Sequence, residues 1–197
     1  HKAGVDAYNK WILNEFAGAD QKRLLPMFQM PNLGIETSLS ELQRAKKEGF
    51  RGVILTRFPS GNPTLNAADE PFWAQAEEIG MPIHIHINIG GAARAQGTAQ
   101  AAALQAATAG AMTTSSLLGG SLGAFGTIMA DFIHQGIFDR YPALRMVGVE
   151  VQAGWIPAVL EFWDDRYWRN RTVAECKLKM LPSEYFYRNW SVTFITD

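Results

Sequence analysis

Two histidines one residue apart in a run of isoleucines are the part of this chain best suited to chemistry. Residues 80–90 read Gly-Met-Pro-Ile-His-Ile-His-Ile-Asn-Ile-Gly. In an extended strand the side chains alternate, so Ile83, Ile85 and Ile87 share one face and His84, His86 and Asn88 the other. Imidazole is a metal ligand and, near neutral pH, a proton carrier. One reading of such a strand is the wall of a cavity that holds a cation, with His86 at the mouth and His84 one layer deeper. The plainer reading is a pair of hydrogen-bonded structural histidines. Glu150 closes the next chemistry-bearing strand, Arg145-Met-Val-Gly-Val-Glu, where it is a base, a metal or outer-sphere ligand, or a solvated charge. Arg57 follows the strand at 52–56 and presents a planar fork of donors to an anionic substrate, unless it is an ordinary surface arginine.

These residues need elements to hold them. Apolar spacing predicts helices over 5–17, 36–48, 98–109, 125–138 and 155–168, and another beginning at Asp69 as N-cap with Pro71 in its first turn. Short apolar runs predict strands near 23–30, 52–56, 83–87, 145–150 and 190–197. Alternation of the two, about 30 residues from strand to strand, is the pattern of a parallel sheet covered by helices. The fold class is α/β: a partial (β/α)8 barrel, with a doubly wound sheet as the alternative. Gly148, below Glu150 on the same face by simple alternation, would leave room for a ligand. Asp197 ends the last strand, and His134 reads as a structural helix residue. The aromatics Phe162, Trp163, Tyr167 and Trp168 read as core or subunit interface. The small-residue stretch 90–126 is the candidate cover of the mouth.

Bulk properties remove several function classes. The 197 residues are 47% hydrophobic and 19% charged, with a net charge of −1, a globular composition without the basic excess of a nucleic-acid or membrane-surface binder. There is no apolar run of about 18 residues to cross a bilayer. Cys176 is the single cysteine, which excludes an internal disulfide and a cysteine zinc cage and points to a reducing, cytoplasmic setting. The glycines at 119–126 follow no apolar strand and lack the acidic partner of a dinucleotide site. No Gly-Lys-Ser/Thr phosphate loop occurs.

Read in order, Tyr8-Asn-Lys-Trp11, Arg23-Leu-Leu-Pro26, Glu41-Leu-Gln-Arg-Ala45, Gly49-Phe-Arg-Gly-Val53, Pro71-Phe-Trp73, Gly80-Met-Pro-Ile-His-Ile-His86, Gly136-Ile-Phe-Asp-Arg-Tyr-Pro142 and Glu150-Val-Gln-Ala-Gly-Trp155 carry a resemblance. They resemble the amidohydrolase-related branch of the amidohydrolase superfamily, which includes aminocarboxymuconate-semialdehyde and γ-resorcylate decarboxylases. The resemblance implies a (β/α)8 barrel that binds one divalent metal, usually zinc, at the strand C-termini. It makes His86 the fifth-strand ligand and leaves His84 as a possible second. Glu150 stands where the decarboxylases carry a sixth-strand histidine. The first-strand His-x-His and the late Ser-Asp-x-Pro-His phrase are absent, so the chain is expected to cover about strands three to seven, as one incomplete barrel domain.

The expected function is metal-dependent hydrolysis or decarboxylation of a small carboxylated or aromatic substrate. His86 and His84 are the candidate metal ligands, Glu150 the catalytic residue and Arg57 the substrate-binding residue. The alternative is a catalytically incomplete fragment that acts as a self-associating or structural module. Partners are limited to a small-molecule substrate, with homo-oligomerisation left open.

Overall fold

The computed structural model describes residues 1–20, 22–86, 89, 121–173 and 177–196, of which 121–124 are described by backbone alone. Ile87, Asn88, Cys176, Asp197, the helix expected at 98–109 and most of the candidate mouth cover lie outside these residues. Among the described residues five strands form one parallel sheet: β1 Met27–Gln29, β2 Gly52–Leu55, β3 Ile83–His86, β4 Met146–Val149 and β5 Trp190–Val192. Their order in the sheet is their order in the chain. A doubly wound sheet must reverse that order at a switch point. This one never does, so it is an arc of a (β/α)8 barrel, and the doubly wound alternative falls.

Helices connect the strands: α1 Lys2–Trp11 precedes β1, then α2 Ile35–Glu48, α3 Glu70–Glu78, α4 Ser121–His134, α5 Ile137–Arg140, α6 Ile156–Asn170 and α7 Pro182–Asn189. The helix expected at 5–17 is shorter than its apolar stripe. It widens into a π turn at Ile12–Phe16 and tightens into a 3-10 turn at Ala17–Ala19. The two turns of α7 fall outside the expected elements. Their local signal was a proline in the first turn and Glu184, whose carboxylate accepts from the Leu181 amide at 2.7 Å.

The same device delivers the chain from α2 into β2 and from α3 into β3. Gly49 and Gly80 end their helices in the left-handed region, at φ 92° and 61°. The Phe50 amide then donates to Ala45 O at 3.0 Å, and the Met81 amide to Ala76 O at 2.9 Å. In each case the residue after the glycine is a buried apolar anchor, as a Schellman ending favours.

The sheet has two different faces. Val53, Leu55, Ile83, Ile85 and Met146 are buried against the helices, where Trp73, Phe125, Phe132, Phe138 and Trp190 form an edge-to-face aromatic core. The opposite face, the interior of the barrel arc, carries Ile54, His84, His86, Val147 and Val149, all half-buried. Register makes this assignment: Ile54 pairs with His84, His84 with Val147, and His86 with Val149. Among the described residues no helix is long and apolar enough to cross a membrane.

Candidate active site

His86 is the last residue of β3, the central strand, with its ring on the inner face. Pro82 ahead of the strand and the ladders on both sides leave the pleat no freedom, so the imidazole direction follows from the alternation itself. His86 Nε2 lies 3.1 Å from Glu150 Oε2, with the two side chains 30% and 49% exposed. In the tautomer that carries its proton on Nε2, the ring donates to the carboxylate. The pair is open to solvent and able to exchange protons with a bound molecule. It stands at the C-terminal end of the sheet, the end at which barrel enzymes gather their functional groups.

Glu150 reaches that place by leaving the strand geometry. A Cβ built on Gly148 would lie 2.8 Å from Phe125 Cε1, so Gly148 faces the helices and makes space for a core ring. This corrects the expectation that Gly148 clears the interior for a ligand. Continued alternation would send Glu150 to the helix side as well. Instead Glu150 has φ 63°, and Gln152 φ 62°, both in the left-handed region that non-glycine residues seldom occupy. The turn redirects Glu150 across the sheet onto His86. Its backbone amide donates to Thr193 Oγ1 at 2.9 Å, just past β5.

His84 sits one layer deeper. Its Nε2 lies 2.6 Å from where a Cβ on Gly52 would be, and Met27 Sδ 2.8 Å from the same point. Gly52 is therefore the berth of this imidazole. Burial pushes the His84 pKa below its ordinary value of 6.5, which favours the neutral ring. Neutral imidazole is the ligating form, so the chemistry of His84 suits a cation.

Arg57 is exposed in the loop after β2, at the same end of the sheet, and no described contact joins it to His86 or Glu150. That loop is held from beneath. Asp69 is fully buried and accepts from the amides of Ser60 (2.8 Å) and Asn66 (3.2 Å). This corrects the expectation that Asp69 caps α3, because its carboxylate turns back into the loop instead. The cap in this region belongs to Asn66, whose side chain accepts from the Ala68 amide at 2.9 Å at the start of the short 3-10 turn Ala67–Asp69. Burial pushes the Asp69 carboxyl up from its ordinary value, against the pull of the bonds donated to it. His134 is exposed at the end of α4, as a structural reading allows. The aromatic group on α6 is not core throughout: Phe162 is 54% and Trp168 63% exposed.

A divalent cation in a catalytic site usually takes three protein ligands and leaves a position open. Among the described residues no group of three His, Cys, Asp or Glu could hold a metal. His86 and Glu150 supply two neighbouring donors of the right kind, a partial set.

The Amidohydrolase family model matches residues 2–179, and the chain belongs to that family. No curated protein matches it. Among solved structures it is similar to 5-carboxyvanillate decarboxylase from Sphingomonas paucimobilis, with 22% identity and a TM-score of 0.71 over 93% of this chain and 52% of that one. It is also similar to 2,6-dihydroxybenzoate decarboxylase from Rhizobium, with 19% identity and a TM-score of 0.70 over 95% and 57%. A third is dihydroxybenzoic acid decarboxylase from Polaromonas, solved with bound manganese and the inhibitor 2-nitroresorcinol, at 20% identity and a TM-score of 0.71 over 96% and 56%. At these identities the likeness shows the fold. The chain spans about half the length of these structures.

Proposed function

We propose that this chain forms the part of a metal-dependent amidohydrolase-family enzyme that carries one metal ligand and a proton-handling carboxylate, and that the whole enzyme decarboxylates a small hydroxylated aromatic acid. The observation that carries this reading is the 3.1 Å contact between His86 Nε2 and Glu150 Oε2 on the inner face of the barrel arc. Decarboxylation is preferred to hydrolysis because the three similar structures are named for loss of a carboxyl group from an aromatic acid.

His86 would hold a divalent ion, with His84 on the same face as the candidate second donor and the remaining ligands from outside the described residues. Imidazole and carboxylate suit zinc, while the manganese of the Polaromonas structure makes that ion an equal candidate. When bound, such an ion supplies positive charge that orients a substrate carboxylate and its neighbouring oxygen. The chain's own groups do the rest. Arg57 meets the acid as it enters. Glu150, in its protonated form, gives its proton to the ring carbon as the bond to the carboxyl carbon breaks, so that CO2 leaves and hydrogen takes its place. Solvent at this open end of the sheet, where Glu150 is 49% exposed, returns the proton to the carboxylate between turnovers, and the His86 ring holds the carboxyl group in place.

The test uses the full-length protein with 2,6-dihydroxybenzoate and 5-carboxyvanillate, product being followed by chromatography. His86→Ala should lose bound metal and turnover together, by at least about 100-fold for the latter. Turnover retained in that variant would remove His86 from the site. Wild-type protein that converts neither acid would remove the substrate class.

A further inference from the structure

We infer that Thr193, a residue outside the reacting group, is the positioning residue that turns Glu150 toward His86. The inference rests on the reading of the His86–Glu150 pair as the functional centre and adds the part of the fold that aims it.

Thr193 follows β5 and grips the end of β4 at three successive points. Its amide donates to Gly148 O at 2.8 Å, its hydroxyl accepts from the Glu150 amide at 2.9 Å, and its carbonyl accepts from the Val151 amide at 3.1 Å. Two of these bonds are backbone bonds that any residue would make. The middle one needs a side-chain oxygen at that height, and it falls on the left-handed residue, Glu150. A second grip lies two residues on: the Ile195 amide donates to Gln152 Oε1 at 3.1 Å, and Gln152 is the other left-handed residue of the turn. The indole of Trp155 donates to Val151 O at 2.6 Å and closes the far side.

The left-handed conformation is strained for a residue with a side chain, so it persists only where its surroundings impose it. Each positive φ in the turn is met by a bond from the segment 193–195. Without the Thr193 hydroxyl the Glu150 amide loses its acceptor, the residue is free to relax to ordinary extended backbone, and regular alternation then carries the carboxylate toward the helix side. The β4–β5 ladder thereby becomes part of the site without touching substrate.

The experiment compares Thr193→Val, Thr193→Ser and Glu150→Ala in the metal-free protein at fixed pH. The 15N and 1H signals of the His86 ring report the Nε2 contact directly. In Thr193→Val they should move to the positions seen in Glu150→Ala, and exchange of the Glu150 amide should speed by about tenfold. Thr193→Ser keeps an oxygen and should restore both. The double variant Thr193→Val/Glu150→Ala should give the same ring signals as Glu150→Ala alone. Wild-type ring signals in Thr193→Val would mean that water serves as well as the hydroxyl, and would overturn the inference. If Thr193→Val does not fold, Thr193→Ser and Thr193→Ala decide: ring signals displaced in Thr193→Ser, or unmoved in Thr193→Ala, overturn it. The functional reading fails separately, by undiminished decarboxylation in Glu150→Gln, and that result leaves the ring-signal comparison standing.

Discussion

The two ends of the parallel sheet are built in opposite ways. At the N-terminal end, β2 and β3 are entered through relaxed turns in which glycine takes the left-handed position and a buried apolar residue follows: Gly49-Phe50 and Gly80-Met81. At the C-terminal end, β4 is left through a turn in which glutamate and glutamine take that position, at Glu150 and Gln152. Only the first arrangement is free of strain. The difference separates stability from chemistry along the strand direction, as barrel folds permit. One end uses the residue that best fits the backbone, and the other accepts strain to place a carboxylate.

Three substitutions sharpen that contrast. The largest effect belongs to the relaxed end: Phe50→Ala should cost about 3–5 kcal/mol in urea unfolding, since Phe50 packs edge-on to Phe28 with ring centroids 5.0 Å apart. It should leave the His86 ring signals unchanged. At the strained end the sign reverses. Glu150→Gly removes the left-handed penalty and should stabilise the fold by about 0.5–1 kcal/mol while it abolishes the proposed proton transfer. A less stable Glu150→Gly protein would mean that the turn is not strained. The smallest effect lies on the helix layer, away from both turns. Burial pushes the Glu70 carboxyl up, but the bonds from Arg140 (2.5 Å) and Tyr141 (2.8 Å) outweigh it and hold the carboxyl below its ordinary 4.5. Its contribution is therefore complete above about pH 4.5 and is lost as the pH falls through the lowered folded value. Glu70→Gln should flatten the acid limb of the stability curve by under about 1 kcal/mol and leave the proposed decarboxylation unchanged.

The strand carrying His86 was legible because strict alternation of isoleucine and histidine after Met-Pro leaves one register and one inward face. The helix endings at Gly49 and Gly80 were legible for a similar reason, glycine being the residue that adopts their backbone at little cost. Gly148 was misread because alternation was counted back from Glu150, and Glu150 does not belong to the pleat. A positive φ at glutamate has no mark in the sequence, for nothing local favours it. Its cause is Thr193, 43 residues away. Asp69 was misassigned on the same grounds: an acidic residue before a helix is a good cap, but its partners here are amides of a loop folded back over it. The His86–Glu150 contact joins residues 64 positions apart, a distance only the completed sheet bridges.

The buried Asn9 side chain lies along the outer side of β1, where its amide group both accepts from the Gln29 amide (2.8 Å) and donates to the Gln29 carbonyl (3.0 Å). A polar side chain there satisfies both main-chain groups of Gln29 at once and so ties α1 to the first described strand.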